Sequence, residues 1–181
     1  MDSAPNPNQI SQFRRVVTVR GNDGVSKVLI DGPARNLVTL HEFWMTDCGR
    51  PPLSASVDGD PVNRPFKIAP LSGGTVFRFV EIEPESKFAG MSDEERRATV
   101  KHAFSAVGSA DALVNTERHP AMHQTETIDY IIVLKGELTM LLEDGEVHLK
   151  PLDVVVQRGT NHAWVNRGSE PALLAAVLIA P

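Results

Sequence analysis

The chain has 181 residues, 41% of them hydrophobic and 23% charged, which fits one globular domain and excludes a collagen-like or disordered protein. A net charge of −5 without any long basic block removes the electrostatic reason to bind nucleic acid. The longest apolar run, 172–180, is nine residues, against the roughly 20 of a membrane-crossing helix, so no membrane partner is expected. The lone Cys48 cannot form an internal disulfide, and it fits a reducing, cytoplasmic setting. Residues 1–15 show no apolar core of the secretory type.

In chain order, residues 1–13 carry two prolines and little to bury and read as a flexible tail, with a single domain over 14–181. RRVVTVR, VSKVLI and LVTLHEFWM then read as strands, separated by Gly21-Asn22-Asp23-Gly24 and Asp31-Gly32-Pro33. Cys48 to Pro70 is proline-rich and predicts a long loop or irregular hairpin. TVFRFVEI (75–82) alternates, with Val76, Arg78 and Val80 on one face and Phe77, Phe79 and Glu81 on the other. Ser92-Asp93-Glu94-Glu95 has the spacing of a capping box and predicts a surface helix over 93–106, within an insertion at about 92–107. Short strands follow at 112–116, 128–134, 138–143, 147–150, 154–157, 163–165 and 173–179. Lys135-Gly136 and Asp144-Gly145 are turns, the second read as the tight form in which both central residues take positive φ. Many short strands with turn punctuation predict an antiparallel sandwich or barrel.

Candidate chemistry gathers in two segments. In a strand running from His123 to Leu134, odd-numbered residues share a face, which sets His123, Thr125, Thr127 and Asp129 above an apolar floor of Ile131 and Val133. In GTNHAWVN, His162, Trp164 and Asn166 share one parity. If the two faces meet inside a barrel, His123, Asp129 and His162 converge, and two imidazoles with one carboxylate form a ligand set for a divalent metal with open positions. His41, His102 and His148 read as surface or satisfied core residues. Thr125 and Thr127 are either ordinary β formers or substrate contacts, and Trp164 and Tyr130 pack the core or rim or touch substrate. His119 is a substitute ligand or a loop cap beside Pro120. Arg78 is a surface arginine, unless its face turns inward, where it needs an anion such as a substrate carboxylate.

The stretch His123-x-Thr125-x3-Asp129-x6-Gly136 resembles the first motif of the cupin superfamily, and Gly159-x2-His162-x3-Asn166 resembles the end of its second motif, led by Pro151-Leu152-Asp153-Val154-Val155-Val156-Gln157. The resemblance covers 123–166 and implies a small antiparallel jelly-roll β-barrel with its site at the wide mouth. It also implies His123 as first metal ligand, Asp129 in the place of the family's glutamate, His162 as the histidine of the second motif, and a homodimer. Four departures stand out: Thr125 occupies the second histidine's place, Asp129 the glutamate's, and Leu152 and Gln157 replace a glycine and a proline.

The expected activity is that of a small-molecule enzyme, a lyase or dehydratase or an isomerase, acting on a hydroxy-carbonyl compound. His123 and His162, with Asp129, would move the protons, with or without one divalent ion such as Zn, Fe, Mn or Ni. The alternatives are a metabolite-binding barrel without catalysis and an iron-dependent oxygenase.

Overall fold

The computed structural model describes residues 13–47 and 61–181. The expected tail, apart from Phe13, and the 48–60 part of the proline-rich stretch, with Cys48, lie outside the described residues. Eleven strands and one α-helix are present among the described residues: β1 (Arg14–Arg20), β2 (Ser26–Pro33), β3 (Arg35–Leu37), β4 (Leu40–Thr46), β5 (Thr75–Ile82), α1 (Asp93–Ala106), β6 (Ile128–Lys135), β7 (Leu138–Leu142), β8 (Glu146–Leu149), β9 (Val154–Arg158), β10 (His162–Val165) and β11 (Ala172–Ile179).

A six-stranded sheet in the order β3-β4-β5-β11-β6-β9 faces a three-stranded sheet in the order β10-β7-β8, and β1 and β2 form a separate two-stranded ribbon. The strand pairs are antiparallel, as a jelly-roll barrel requires. Period-two patterning decides what lies inside: Val76 and Arg78 of β5, Leu174, Ala176 and Leu178 of β11, and Asp129, Ile131 and Val133 of β6 are buried. Leu138, Met140 and Leu149 of the smaller sheet complete the core. The chain passes from one sheet to the other between β6 and β7 at Gly136, whose φ is 76°. A Cβ there would stand 2.8 Å from Cβ of Ala172, so both the backbone conformation and the close approach demand glycine.

The helix starts where its capping box sets it: the Glu95 amide donates to Ser92 Oγ at 3.3 Å, and the Ser92 amide donates to Glu95 Oε2 at 2.8 Å. It lies on the surface with no residue fully buried and ends before Gly108, at φ 58°.

Four local expectations fail. The run 37–45 is not one strand, because Val38 takes φ 51° and folds β3 back on β4 with Leu37 opposite Leu40. Residues 112–116 are not a strand; a 3-10 turn spans Ala110–Ala112, and no neighbouring strand offers 113–116 a ladder. At Asp144-Gly145 only the glycine takes positive φ, so the turn is not the expected tight form. The strand expected at 128–134 is β6, but it does not extend back to His123 as the shared face of His123 and Asp129 required.

Candidate functional site

His162 opens β10, and its backbone exchanges two hydrogen bonds with that of His123, at 2.9 and 3.0 Å, in an isolated bridge. This pairing of two loop-proximal residues brings the rings to 4.4 Å between centroids, tilted by 45°. Each Nδ1 lies 2.9 Å from a carbonyl two residues earlier, Ala121 O for His123 and Thr160 O for His162. Donation from Nδ1 leaves each Nε2 as a bare lone pair. Phe104, from α1, stands edge-on to His123 at 5.2 Å, and Trp164 stands edge-on to His162 at 5.6 Å. Burial lowers the affinity of both rings for a proton. His162 is pushed down to about 3, with the neighbouring His123 adding to the burial effect, so both imidazoles are neutral at ordinary pH.

Gln157 braces this pair. Its Nε2 donates to Thr160 O at 2.9 Å, contacts Thr160 Oγ1, and lies 3.1 Å from His162 Nδ1. Beside it is a hollow of about 420 Å³ whose wall includes Met140, Leu142, Val155, Gln157 and Thr160. The rings were expected to stand in the open mouth, yet they are not part of this wall; His162 sits behind Gln157 and Thr160. Gln157 stands where the resembled motif has a proline. A long amide in place of proline was the available signal.

The other predicted residues divide. Thr125 and Thr127 join hydroxyls at 2.7 Å, and Thr127 also bonds Asp129. Asp129 points into the barrel opposite Gln157, and burial raises its carboxyl, an effect opposed by Thr127 and Arg78. Among the described residues, no three His, Cys, Asp or Glu side chains come together as metal donors, so the set His123, Asp129 and His162 is not assembled. The strand parity used to align them does not extend through 124–127, which is loop. With Thr125 committed to Thr127 and Asp129 not assembled with the rings, the pair offers two nitrogen donors.

His119 does not replace the missing ligand. Its Nε2 bonds Glu85 Oε1 at 3.0 Å and its Nδ1 accepts from the Ala121 amide at 3.2 Å, in a separate polar cleft that includes Arg96, Arg118 and Arg167. Arg78 is not a surface arginine: it is 3% exposed, and its Nη2 donates to Glu42 Oε1 at 2.8 Å and to Lys67 O at 2.6 Å. The anion that its inward face requires is therefore internal. Glu42 was missed, although a glutamate inside the apolar run LHEFWM was its signal. His41 is a core residue bonded to Asn36 Oδ1 at 2.8 Å, while His102 and His148 are exposed. Tyr130 points outward and is 50% exposed.

Residues 114–178 match the profile of the Cupin_2 family, described as a cupin domain. The chain is 60% identical over 47 residues to phomopsin biosynthesis cluster protein D of Diaporthe leptostromiformis, covering 25% of each. It is 52% identical over 48 residues to oryzines biosynthesis cluster protein J of Aspergillus oryzae, covering 26% of this chain and 27% of that protein. A cupin-domain-containing oxidoreductase of Aspergillus ruber is 36% identical over 62 residues, 32% of this chain and 30% of that one. The chain thus matches only about a quarter to a third of the length of these curated relatives. Among solved structures, a cupin 2 conserved barrel domain protein from Salinispora arenicola superposes with a TM-score of 0.37 at 15% identity, over 68% of this chain and 71% of that one.

Proposed function

With a cupin domain over residues 114–178 as the premise, we propose that the chain is a small-molecule enzyme in which His123 and His162 perform acid and base chemistry on a hydroxy-carbonyl compound. The observation that carries this reading is the ring pair itself, 4.4 Å apart, each Nδ1 held by a backbone carbonyl. One neutral Nε2 takes the proton from the carbon beside the carbonyl, and the imidazolium so formed returns it either to the carbonyl carbon, with the hydroxyl proton passing to the carbonyl oxygen, or to a departing β-hydroxyl, whose C–O bond breaks as a C=C bond forms. The first outcome is isomerisation, the second loss of water. Negative charge developing on the substrate offsets the burial that disfavours the imidazolium. Phe104 and Trp164 keep bulk water from the rings, and Thr125 and Thr127 orient the substrate.

Among the described residues, the two-donor set does not fit a divalent metal of the kind the cupin fold often holds. The test is hydrogen exchange: hydroxyacetone in D₂O, followed by NMR, should lose its C–H signals with the native chain. General acid and base catalysis contributes about 10²–10⁴-fold, so His123→Ala and His162→Ala should each slow exchange by about 100-fold at least while the variants stay folded. Exchange no faster than in buffer would refute the assignment. A redox reading is favoured by the similarity to a cupin-domain-containing oxidoreductase of Aspergillus ruber; oxygen consumption with the same compounds would select it.

The same proposal includes a homodimer of a cytoplasmic protein. Its support is the outer face of β6 and β9, where Ile128, Tyr130, Ile132, Leu134, Val154 and Val156 are all exposed. Contiguous apolar patches of this kind mark interaction sites. Among the described residues, no helix is long and apolar enough to cross a membrane.

A further inference from the structure

Arg96, Arg97, Arg118 and Arg167 line one cleft of about 360 Å³. Its floor is Leu141 and Val165, buried on the face of β7 and β10 turned away from the main core. The cleft shares no wall residue with the hollow beside Gln157, and neither His123 nor His162 belongs to it. Two of the four arginines are already neutralised. Arg96 Nη2 donates to Glu85 Oε1 at 2.8 Å, where His119 Nε2 meets it at 3.0 Å, and Arg167 holds Glu146 through two bonds of 3.1 Å. The other two are held on neutral acceptors. Arg97 Nη1 donates to Thr116 O and Oγ1, both at 3.1 Å, and Arg118 Nη1 donates to Leu142 O and, at 2.7 Å, to Gly145 O. Among the described residues neither forms an ion pair. The remaining acids of the wall, Asp93 and Glu117, are exposed at its rim and pair with no cation there, and Glu146 acts on Arg118 only at longer range.

We propose that this cleft binds the phosphoryl group of a small molecule, with Arg97 and Arg118 as its principal contacts. Each guanidinium is anchored through Nη1 on oxygens that carry no charge, so Nε and Nη2 remain as donors, oriented before the anion arrives. The two groups come from separate elements, Arg97 from α1 and Arg118 from the loop before β6. That arrangement suits a tetrahedral group with several terminal oxygens, whereas a planar carboxylate is filled by one bidentate arginine. The apolar floor weakens solvent screening of the contact. The volume lies at the low end of small-molecule sites and leaves room for a short carbon chain beside the phosphate. His119 is not a direct contact, because Nε2 is committed to Glu85 and Nδ1 to the Ala121 amide. The cleft is separate from the ring pair, so its ligand binds whether or not the rings catalyse.

The experiment is an NMR titration of the isotope-labelled full chain with inorganic phosphate, glycerol 1-phosphate and acetate at one pH and ionic strength. Phosphate should give saturable shifts at the Arg97 and Arg118 side chains, and acetate should bind about tenfold more weakly. Glycerol 1-phosphate should bind at least as well as free phosphate, which separates an ester site from one for the bare ion. Loss of one charge-assisted contact corresponds to about tenfold, so Arg97→Gln and Arg118→Gln should each weaken phosphate by about that factor. Arg118 ties the turn between β7 and β8, and if its variant unfolds, the exposed Arg97→Gln decides alone. Asp93→Asn with Glu117→Gln should strengthen phosphate by about threefold, since both rim acids oppose an anion. Five results would each overturn the proposal: no saturable shift at these arginines, acetate binding as well as phosphate, an ester bound more weakly than free phosphate, unchanged phosphate binding in folded Arg97→Gln, or no gain in the rim variant.

Discussion

Replacing Arg78 with methionine should test the barrel interior most directly. The guanidinium is 3% exposed and its carboxylate partner 1%, so the substitution leaves Glu42 inside the core without its counter-ion. Removing one member of a buried pair costs about 3–5 kcal/mol. Loss of the bond to Lys67 O adds about 1 kcal/mol, against a total stability of about 5–15 kcal/mol. Replacing both Glu42 and Arg78 with methionine removes the uncompensated charge as well, so the double variant should recover most of that loss. Burial already holds the Glu42 carboxyl above its ordinary value, with Arg78 and then Arg35 pulling it back. Without Arg78 it rises further. A carboxyl raised in the fold binds its proton more tightly than in the unfolded chain, so stability falls as pH rises from the unfolded value through the folded one. The Arg78→Met deficit should therefore be larger at pH 7 than at pH 5. Urea unfolding of the four chains at both pH values gives the cycle. A single variant within about 1 kcal/mol of the native protein at pH 7, or a double variant no better than the sum of the singles, would refute this account of the interior.

Other outcomes follow from local geometry. His162, depressed by burial and by His123 to about 3, should show a flat ring-proton shift from pH 8 to about 4, and a midpoint near 6.5 would contradict the buried pair. Because the unfolded ring takes its proton near 6.5, stability due to His162 is lost as pH falls below that value, by about 1.4 kcal/mol per pH unit, and His162→Asn should flatten this slope in urea unfolding. Leu152 is 79% exposed at φ 75°, so Leu152→Gly should stabilise by about 0.5–1 kcal/mol, and a lower melting temperature would count against strain there. Gly136→Ala should cost about 1–3 kcal/mol through the clash with Ala172, read by the same unfolding curves. Light scattering after size exclusion should give twice the chain mass for the native protein, and Tyr130→Glu with Ile132→Glu should give a monomer; a native monomer ends the homodimer proposal.

What could be read from the residues was what local periodicity encodes. Asp129, Ile131 and Val133 fell inside because strand side chains alternate, and α1 began at Asp93 because Ser92 and Glu95 reciprocate. His123 and His162 were correctly brought together, but not by the parity argument that joined them to Asp129. Their meeting depends on a single bridge outside β6, and 124–127 is loop, so no ladder fixes His123 relative to Asp129. The Glu42–Arg78 pair was hidden for a different reason. Its members are 36 residues apart and meet through strand order, which no single-strand pattern contains.

Gln157 shows how a position that looks like a departure can carry a role. A proline there would offer no side-chain hydrogen bond, whereas the amide reaches across the turn to Thr160 and His162. With Thr125 bonded to Thr127, neither position of the departed pattern supplies a metal donor, and both supply polar contacts instead. The two changes are consistent with each other physically. A ring that moves protons through Nε2 needs its other nitrogen fixed, as His162 Nδ1 is by Thr160 O.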